Sequence, residues 1–301
     1  MPAPAGGRWG LPQQAFDATA LAYARAMDAA VATNVAAALA EDIGNGDRTA
    51  SLLSPQSTVS AHLLAREAAV LCGAPWFDGV MNRVDARIRV QWLAAEGAAL
   101  EAGAVVCRIQ GPARGLLTAE RSAMNFLQLL SGVATATRRY VEAIAQVPGN
   151  RAQILDTRKT LPGLRLAQKY AVRTGGGFNH RLGLYDAILI KENHIAAAGG
   201  VARALQAAQG KGVPVQIEVE TLEQLDEALA AGAASVLLDN FTPERLRAAV
   251  QHTGGRAVLE ASGGVTLETV RAIAATGVDR ISIGSLTKDV QTIDLSMRFT
   301  A

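Results

Sequence analysis

Apolar and polar positions change their pattern near Thr118, and this change divides the chain into two regions. Beyond it, short and nearly continuous apolar runs alternate with amphipathic stretches. Such runs are typical of parallel strands covered by helices. Their spacing suits either an α/β barrel or a doubly wound sheet, and the absence of a G-x-G-x-x-G turn after the first run favours the barrel. The predicted strands are Gln153–Asp156, Asp186–Ile190, Val215–Val219, Ser235–Asp239, Ala257–Glu260 and Arg280–Gly284.

The first region has the pattern of a small α+β domain. A helix is predicted over Ala18–Ala40, and strands over Thr58–Leu64, Arg87–Leu93 and Ala104–Ile109. Arg87–Leu93 alternates polar and apolar residues, which predicts a half-exposed antiparallel strand. A long helix over Thr118–Val147, loosened near Ser131-Gly132, should then join the two regions.

Composition excludes several classes of function. The formal net charge is +2 over 301 residues, so the protein has no overall field for nucleic acid or a membrane surface. Cys72 and Cys107 form no CxxC pair, which favours buried thiols in a reducing cytosol. Met1–Gly10 carries one positive charge and no apolar run follows it, so no signal peptide is expected. We therefore expect a cytoplasmic protein with neither a nucleic acid nor a membrane partner.

Polar residues follow every predicted parallel strand. The carboxyl ends of parallel strands form the active-site face of α/β folds. Helix caps and solvation would explain some of these residues, but not Lys191 or Glu218, since lone charges within apolar runs are costly to bury. The segments are Asp156-Thr157-Arg158-Lys159, Lys191-Glu192-Asn193-His194, Glu218 with Glu220, Asp239-Asn240, Glu260-Ala261-Ser262-Gly263-Gly264 and Gly284-Ser285.

Residue type suggests a role for each of these groups. Arg158, Lys159, Arg181 and Lys191 can neutralise carboxylates and phosphates. Glu218 and Asp239 can bind ribose hydroxyls or a Mg²⁺ shared with a diphosphate. Glycine turns at Ser262-Gly263-Gly264 and Ile283-Gly284-Ser285 lie where many barrels bind phosphate through backbone N–H groups. The sequence therefore predicts an anionic, phosphorylated substrate.

Two further residues are ambiguous from sequence. A lone histidine is more often structural, but His180 lies between a glycine run and Arg181, which favours a functional role. Arg121 shares a helix face with Asn125 and Gln128, and helical spacing alone favours an exposed face.

Several long motifs resemble the quinolinate phosphoribosyltransferases, the carboxylating nicotinate-nucleotide pyrophosphorylases. The resemblance runs in order from about residue 20 to the C-terminus. It is carried by 41–47, 120–126, Ile154-Leu155-Asp156-Thr157-Arg158-Lys159-Thr160-Leu161-Pro162-Gly163, Gly175-Gly176-Gly177-Phe178-Asn179-His180-Arg181, Ile190-Lys191-Glu192-Asn193-His194, Leu238-Asp239-Asn240-Phe241 and 260–264.

The resemblance implies a fold, an assembly and a reaction. The fold would be a mixed α/β-sandwich domain over 1–123, with 292–301 returning to it, and an incomplete, open, seven-stranded α/β barrel over 124–291. The assembly would be a homodimer with shared active sites, and the resemblance leaves further assembly into hexamers open. Arg121 would then be donated across the dimer, against the exposed-face interpretation. The reaction would be phosphoribosyl transfer from phosphoribosyl diphosphate to quinolinate with decarboxylation, in NAD biosynthesis.

Site roles follow from the same motifs. Quinolinate would be held by Arg121, Arg158, His180, Arg181 and Lys191, and Thr157 would be a further substrate-binding residue. The catalytic residues Lys159, Lys191, Glu218 and Asp239 would surround phosphoribosyl diphosphate, with Glu218 and Asp239 near Mg²⁺ either directly or through other groups. Ser262, Gly263, Gly264, Ile283, Gly284 and Ser285 would hold the 5-phosphate. The family commonly has an acidic residue where this chain has Gln216, so the carboxylate role is assigned to Glu218 rather than Glu220.

Two alternatives stay open at this point. One is a relative with the same fold that acts on another substrate, such as nicotinate or a molybdenum-linked ligand. A dicarboxylate should need Arg121, Arg158 and Arg181 together, which distinguishes it from nicotinate. The other is an anion-binding barrel without activity, in which Glu218 and Asp239 would have no cation to hold. No Ser-His-Asp or Cys-His arrangement is evident, in agreement with a reaction that needs no protein nucleophile.

Overall fold

The computed structural model describes residues 13–300, with side chains from Arg25 onward. Residues 1–12, where the sequence predicts most of a frayed tail, and residue 301 lie outside the described part. The helices are α1 Gln13–Ile43, α2 Ala74–Val84, α3 Ala113–Ala145, α4 Arg165–Thr174, α5 Glu192–Ala198, α6 Val201–Ala208, α7 Leu222–Ala230, α8 Pro243–Thr253, α9 Val270–Ala274 and α10 Ser285–Lys288, with a short 3₁₀ turn at Ala50–Leu52. Within this part no helix combines the length and the hydrophobicity needed to cross a membrane.

The strands form two large sheets and one small pair. They are β1 Thr58–Ala65, β2 Ala69–Val70, β3 Arg89–Trp92, β4 Ala99–Leu100, β5 Val105–Pro112, β6 Gln153–Leu155, β7 Ile188–Ile190, β8 Val215–Val219, β9 Ser235–Asp239, β10 Val258–Ser262, β11 Arg280–Ser282 and β12 Leu295–Thr300. The antiparallel sheet has the order β12-β1-β5-β3, and β2 pairs with β4.

The antiparallel sheet joins three strands of the first region, β1, β3 and β5, to β12, the last strand of the described chain. β12 lies against β1, with Leu295 opposite Ala65 and Thr300 opposite Ser60. β3 is an edge strand that alternates between exposed and half-buried residues and pairs antiparallel with β5. The predicted half-exposed antiparallel strand is therefore confirmed.

The parallel sheet has the order β6-β11-β10-β9-β8-β7. Strands β7 to β11 are neighbours in chain order and β6 lies beside β11, so the order is cyclic with one gap between β6 and β7. A doubly wound sheet would instead reverse its order near the middle. A single parallel bridge joins Leu155 of β6 to Phe178 beside that gap. The predicted α/β fold with a parallel sheet is confirmed.

Two local predictions are wrong. α3 continues through Ser131-Gly132 without a break. A Cβ on Gly132 would lie 2.1 Å from the carbonyl oxygen of Gln291, so the glycine allows the chain before β12 to cross the helix closely. The second parallel strand begins at Ile188 rather than Asp186, because the Asp186 carboxylate accepts the N–H groups of Leu182 (2.7 Å) and Gly183 (2.9 Å) and closes a turn.

Candidate active site

The carboxyl ends of the parallel strands bring most of the predicted site residues together. Asp239 and Ser262 are paired across β9 and β10. The segment after β6 lies against the turn after β11: a Cβ on Gly284 would be 3.0 Å from Lys159 Cδ and 3.6 Å from Thr157 Oγ1. Because residue 284 is glycine, the Lys159 side chain has room beside the turn after β11, which is one of the two turns assigned to phosphate binding.

Lys191 and Glu218 form an ion pair at this end of the sheet. Lys191 Nζ donates to both carboxylate oxygens of Glu218, at 3.0 and 2.7 Å, and the two side chains are 42% and 11% exposed. The pKa of Asp239 is raised by burial, against the opposing effects of Lys191 and Lys159. Two lysines thus lie close enough to influence this carboxylate, which is an arrangement suited to a ligand with both anionic and hydroxyl groups.

Arg158 and Arg181 form a pair of neighbouring cations. Burial and, after it, the charge of Arg158 lower the pKa of the Arg181 guanidinium. Arg181 Nη1 donates to the carbonyl of Ala187 at 3.1 Å, and Arg158 Nε is buried without a hydrogen-bond partner. Neither side chain makes an ion pair with any of the described residues. Two adjacent guanidinium groups favour an anionic ligand, since their planar forks match carboxylates.

A buried ion pair holds the loop that carries Arg181. Asp156 and Lys169 are both fully buried and are paired with each other. Asp156 also accepts from Asn179 Nδ2 at 2.6 Å and from the backbone N–H of His180 at 2.9 Å, while Lys169 Nζ donates to the carbonyl of His180 at 2.9 Å. The segment from Asn179 to Arg181 is therefore fixed from β6 and α4.

The His180 ring is already bonded within the chain. Its Nδ1 accepts the backbone N–H of Arg181 at 2.8 Å, and its Nε2 lies 2.9 Å from Gln216 Oε1. Gln216 Nε2 donates in turn to Glu260 Oε2 at 3.0 Å. Both ring nitrogens are engaged, so His180 supports its neighbours in this structure as well as bordering the site.

The first of the two turns assigned to phosphate binding contains glycines and lies against a residue with a positive φ. Asn240 has a positive φ of 56°, and its N–H donates to the Ser262 carbonyl at 2.9 Å. Gly263 has φ 97°, and a Cβ there would lie 2.1 Å from Asn240 Oδ1, so this close approach requires glycine. Gly264 also has a positive φ. In the second turn the N–H of Ile283 donates to Leu155 O at 2.9 Å, so Gly284 and Ser285 are the better donor candidates there.

Arg121 makes no side-chain hydrogen bond or ion pair to this cluster. Its side chain is exposed on α3 and forms neither kind of contact with any of the described residues. Its neighbours on the helix hold the end of α1 and the segment after it: Ser122 donates to Asp42 at 3.3 Å and Thr118 to Asp47 at 2.9 Å. The exposed face predicted from helical spacing is what one chain presents.

Four contributors were missed by sequence reasoning as functional side chains: Lys169, Asn179, Gln216 and Glu260. Glu260 and Gln216 lie within apolar strands, which is the signal that identified Glu218. Lys169 gives little signal, because a lysine on an amphipathic helix is usually exposed.

No group of three or more His, Cys, Asp or Glu side chains able to hold a metal ion occurs among residues 13–300. Glu218 and Asp239 supply the hard oxygen donors that Mg²⁺ prefers, but they are only two. They fit a magnesium ion that takes its remaining ligands from substrate and water.

Comparison with known proteins identifies the family. Residues 47–131 match the quinolinate phosphoribosyl transferase N-terminal domain and 133–298 match its C-terminal domain. The chain is 42% identical to a probable carboxylating nicotinate-nucleotide pyrophosphorylase of Bacillus subtilis, over 86% of this chain and 90% of the relative, and 44% identical to its Mycobacterium leprae counterpart, over 86% and 94%. The solved nicotinate-nucleotide pyrophosphorylase of Francisella tularensis superposes with a TM-score of 0.87 at 45% identity, over 91% of this chain and 97% of that one. The chain therefore belongs to the quinolinate phosphoribosyltransferase family.

Proposed function

We propose that this protein transfers the phosphoribosyl group of phosphoribosyl diphosphate to quinolinate, releasing nicotinate mononucleotide, diphosphate and CO₂ in de novo NAD biosynthesis. The proposal is carried by two charged pairs, Arg158 with Arg181 and Lys191 with Glu218. The first offers a dianion two cations that form no ion pair among the described residues. The second, with Asp239, offers mixed charges to a sugar phosphate. Family membership supports the same reaction.

Quinolinate binding falls to the two arginines. Each guanidinium can form a bidentate pair with one carboxylate, which neutralises the charge and orients the ring. Thr157 lies next to Arg158, and His180 holds the Arg181 backbone. Orientation of the pyridine nitrogen toward the ribose supplies much of the rate enhancement in such a two-substrate reaction.

Transfer proceeds as the bond from C1 of the ribose to the diphosphate oxygen breaks and a bond to the pyridine nitrogen forms. Positive charge develops on the sugar ring, and Glu218 and Asp239 are placed to stabilise it or to hold the ribose hydroxyls. Lys159 and Lys191 stabilise the departing diphosphate. Glu218 and Asp239 would hold Mg²⁺, which would supply additional charge neutralisation for that leaving group.

Decarboxylation follows without a protein nucleophile. Once the ring nitrogen is ribosylated it is positively charged, so loss of the adjacent carboxylate leaves an electron pair that this charge stabilises. CO₂ departs, and the electron pair that it leaves then takes a proton from water. The residues need only bind and orient the intermediate during this step.

We also propose the finer architecture that the resemblance implies. The segment at Phe178 would be the short second strand of a seven-stranded, open barrel, supported by its bridge to Leu155. The barrel domain would span 124–291, and 292–301 would belong to the N-terminal domain, supported by the pairing of β12 with β1. Free, buried Cys72 and Cys107 are compatible with a cytoplasmic location.

Arg121 is proposed to complete the site of a partner subunit in a homodimer. Its exposure and its lack of a bond within the described chain support this role. Arg121→Ala and Arg181→Ala should each lose most of the quinolinate activity when either variant is assayed alone. If the dimer shares its sites, mixing and refolding the two variants restores activity in about a quarter of the sites, as random pairing of two subunit types requires. No recovery from a mixture that forms heterodimers would place Arg121 in its own chain's site or outside any site.

The function itself is tested by incubating the purified protein with quinolinate, phosphoribosyl diphosphate and Mg²⁺. We expect nicotinate mononucleotide and CO₂ in equal amounts. The matched arm replaces quinolinate with nicotinate, which lacks the second carboxylate. Product from nicotinate and none from quinolinate would assign the chain to a different substrate within the same fold.

A further inference from the structure

A buried row of three side chains, His180, Gln216 and Glu260, runs from the Arg181 loop into the interior of the parallel sheet. His180 Nε2 lies 2.9 Å from Gln216 Oε1, and Gln216 Nε2 lies 3.0 Å from Glu260 Oε2. Glu260 is fully buried, and its other oxygen, Oε1, has no hydrogen-bond partner and lies 3.6 Å from His180 Nε2. The mechanism above uses neither Gln216 nor Glu260.

The hydrogen bonds of this row have a fixed donor-to-acceptor direction, which the Glu260 carboxylate sets. As a carboxylate, Glu260 can only accept hydrogen bonds, so Gln216 must turn its NH₂ group toward it. The Gln216 amide oxygen then faces His180, whose Nε2 must carry a proton in order to donate. The Oε1 of Glu260 adds an electrostatic preference for that proton. His180 Nδ1 is consequently the unprotonated nitrogen, and it accepts the N–H of Arg181 at 2.8 Å.

We infer that Glu260, acting through Gln216, is a positioning residue that fixes the neutral Nε2–H tautomer of His180 and so holds Arg181 in place for substrate. Its consequence for quinolinate binding rests on the proposed function. The opposite tautomer would place an N–H of the ring against the N–H of Arg181, which would break that bond and release the start of the Arg181 loop.

The surroundings leave this task to the row. The His180 backbone is held separately, by Asp156 at its N–H and by Lys169 at its carbonyl, so those contacts do not choose a tautomer. On the amino side of the sheet, His180 and Gln216 border a pocket of about 650 Å³ that opens to solvent. Ser235 Oγ, 3.2 Å from Gln216 Nε2, also borders it, but a hydroxyl can donate or accept and so imposes no direction.

The tautomer is measurable by ¹⁵N NMR of the imidazole nitrogens, since the chain contains only four histidines. In the wild type we expect His180 to be protonated at Nε2 and not at Nδ1. Glu260→Gln preserves size but lets residue 260 donate or accept, so Gln216 loses its fixed orientation and the His180 signal should shift toward a mixture of tautomers. Ser235→Ala is the matched control and should leave the tautomer unchanged.

Kinetics give the second readout. Glu260→Gln and Gln216→Leu should raise the quinolinate KM about tenfold, the scale of one hydrogen bond to a charged group, while the phosphoribosyl diphosphate KM changes little. If Glu260→Gln does not fold, Gln216→Leu tests the same link. A folded variant that keeps the wild-type tautomer and quinolinate KM would overturn the inference. An inactive wild type with the expected tautomer would instead count against the proposed function alone.

Discussion

Two charged regions lie side by side after β6 and are built on opposite principles. In the first, Asp156 and Lys169 are fully buried, and each charge has its counter-charge and further hydrogen bonds. In the second, Arg158 and Arg181 are neighbours of like charge that form no ion pair with a carboxylate of the described residues, and the nearby Asp186 offsets their repulsion only in part. Asp156 and Arg158 are only two positions apart in the sequence, so the difference is local.

The difference separates structure from binding. Burying a charge is costly unless it is paired and hydrogen-bonded, and Asp156 with Lys169 meets that condition within the chain. The half-buried arginine pair meets that condition only in part, through Asp186, so an anionic ligand would supply further compensation. The Asp156–Lys169 pair also fixes the loop that carries Arg181. A network whose charges are paired within the chain therefore supports the arginine pair that is proposed to bind substrate.

Breaking the balanced pair should have the largest effect. Lys169→Met leaves Asp156 buried and uncompensated, and we expect a loss of about 3–5 kcal/mol in the free energy of unfolding. Urea denaturation measures it. Lys211→Met, which removes an exposed lysine, is the control and should change stability little. A Lys169→Met protein as stable as the control would show that the pair is not needed for folding.

Breaking the unbalanced pair should give the reverse result. Arg181→Ala removes a charged contact to quinolinate, and kcat/KM for quinolinate should fall about 100-fold, the scale of about 3 kcal/mol. Stability should stay the same or rise, because the repulsion with Arg158 is removed. Arg181→Lys should give an intermediate activity, since it keeps the charge without the planar fork. Exposed Arg203→Ala serves as the control, and an equal loss there would contradict the assignment.

The sequence identified the charged residues of the proposed binding site better than it identified the buried Asp156–Lys169 pair. Arg158, Lys191 and Glu218 were found because apolar runs end at, or contain, charged residues that packing does not explain. The parallel sheet followed from the same runs. Lys169 could not be found in this way: α4 reads as an ordinary amphipathic helix, and only the three-dimensional placement of Asp156 beside it explains its burial.

Glycines were the other source of error. Gly132 suggested a loosened helix, but a side chain at this position would collide with the backbone of Gln291, so the glycine allows the two segments to pack closely. The requirement comes from a segment about 160 positions away in the chain, and no local pattern encodes it. Asp186 was similarly assigned to a strand, although its carboxylate closes the turn before that strand. Such contacts depend on the fold and therefore escape local patterns.

The Lys191–Glu218 pair is intermediate in character, because its charges are paired but partly exposed to solvent. Its removal should have the smallest effect on stability and activity. Its lysine is 42% exposed, so solvent screens the pair, and Lys191→Met should change the free energy of unfolding by less than about 1 kcal/mol. We expect kcat/KM for phosphoribosyl diphosphate to fall about tenfold, because a cation beside Glu218 and Asp239 is lost. Urea denaturation and steady-state kinetics on one preparation separate the two quantities. A stability loss comparable to that of Lys169→Met would place this pair with the closed, structural network instead, because its charge would then be needed for folding.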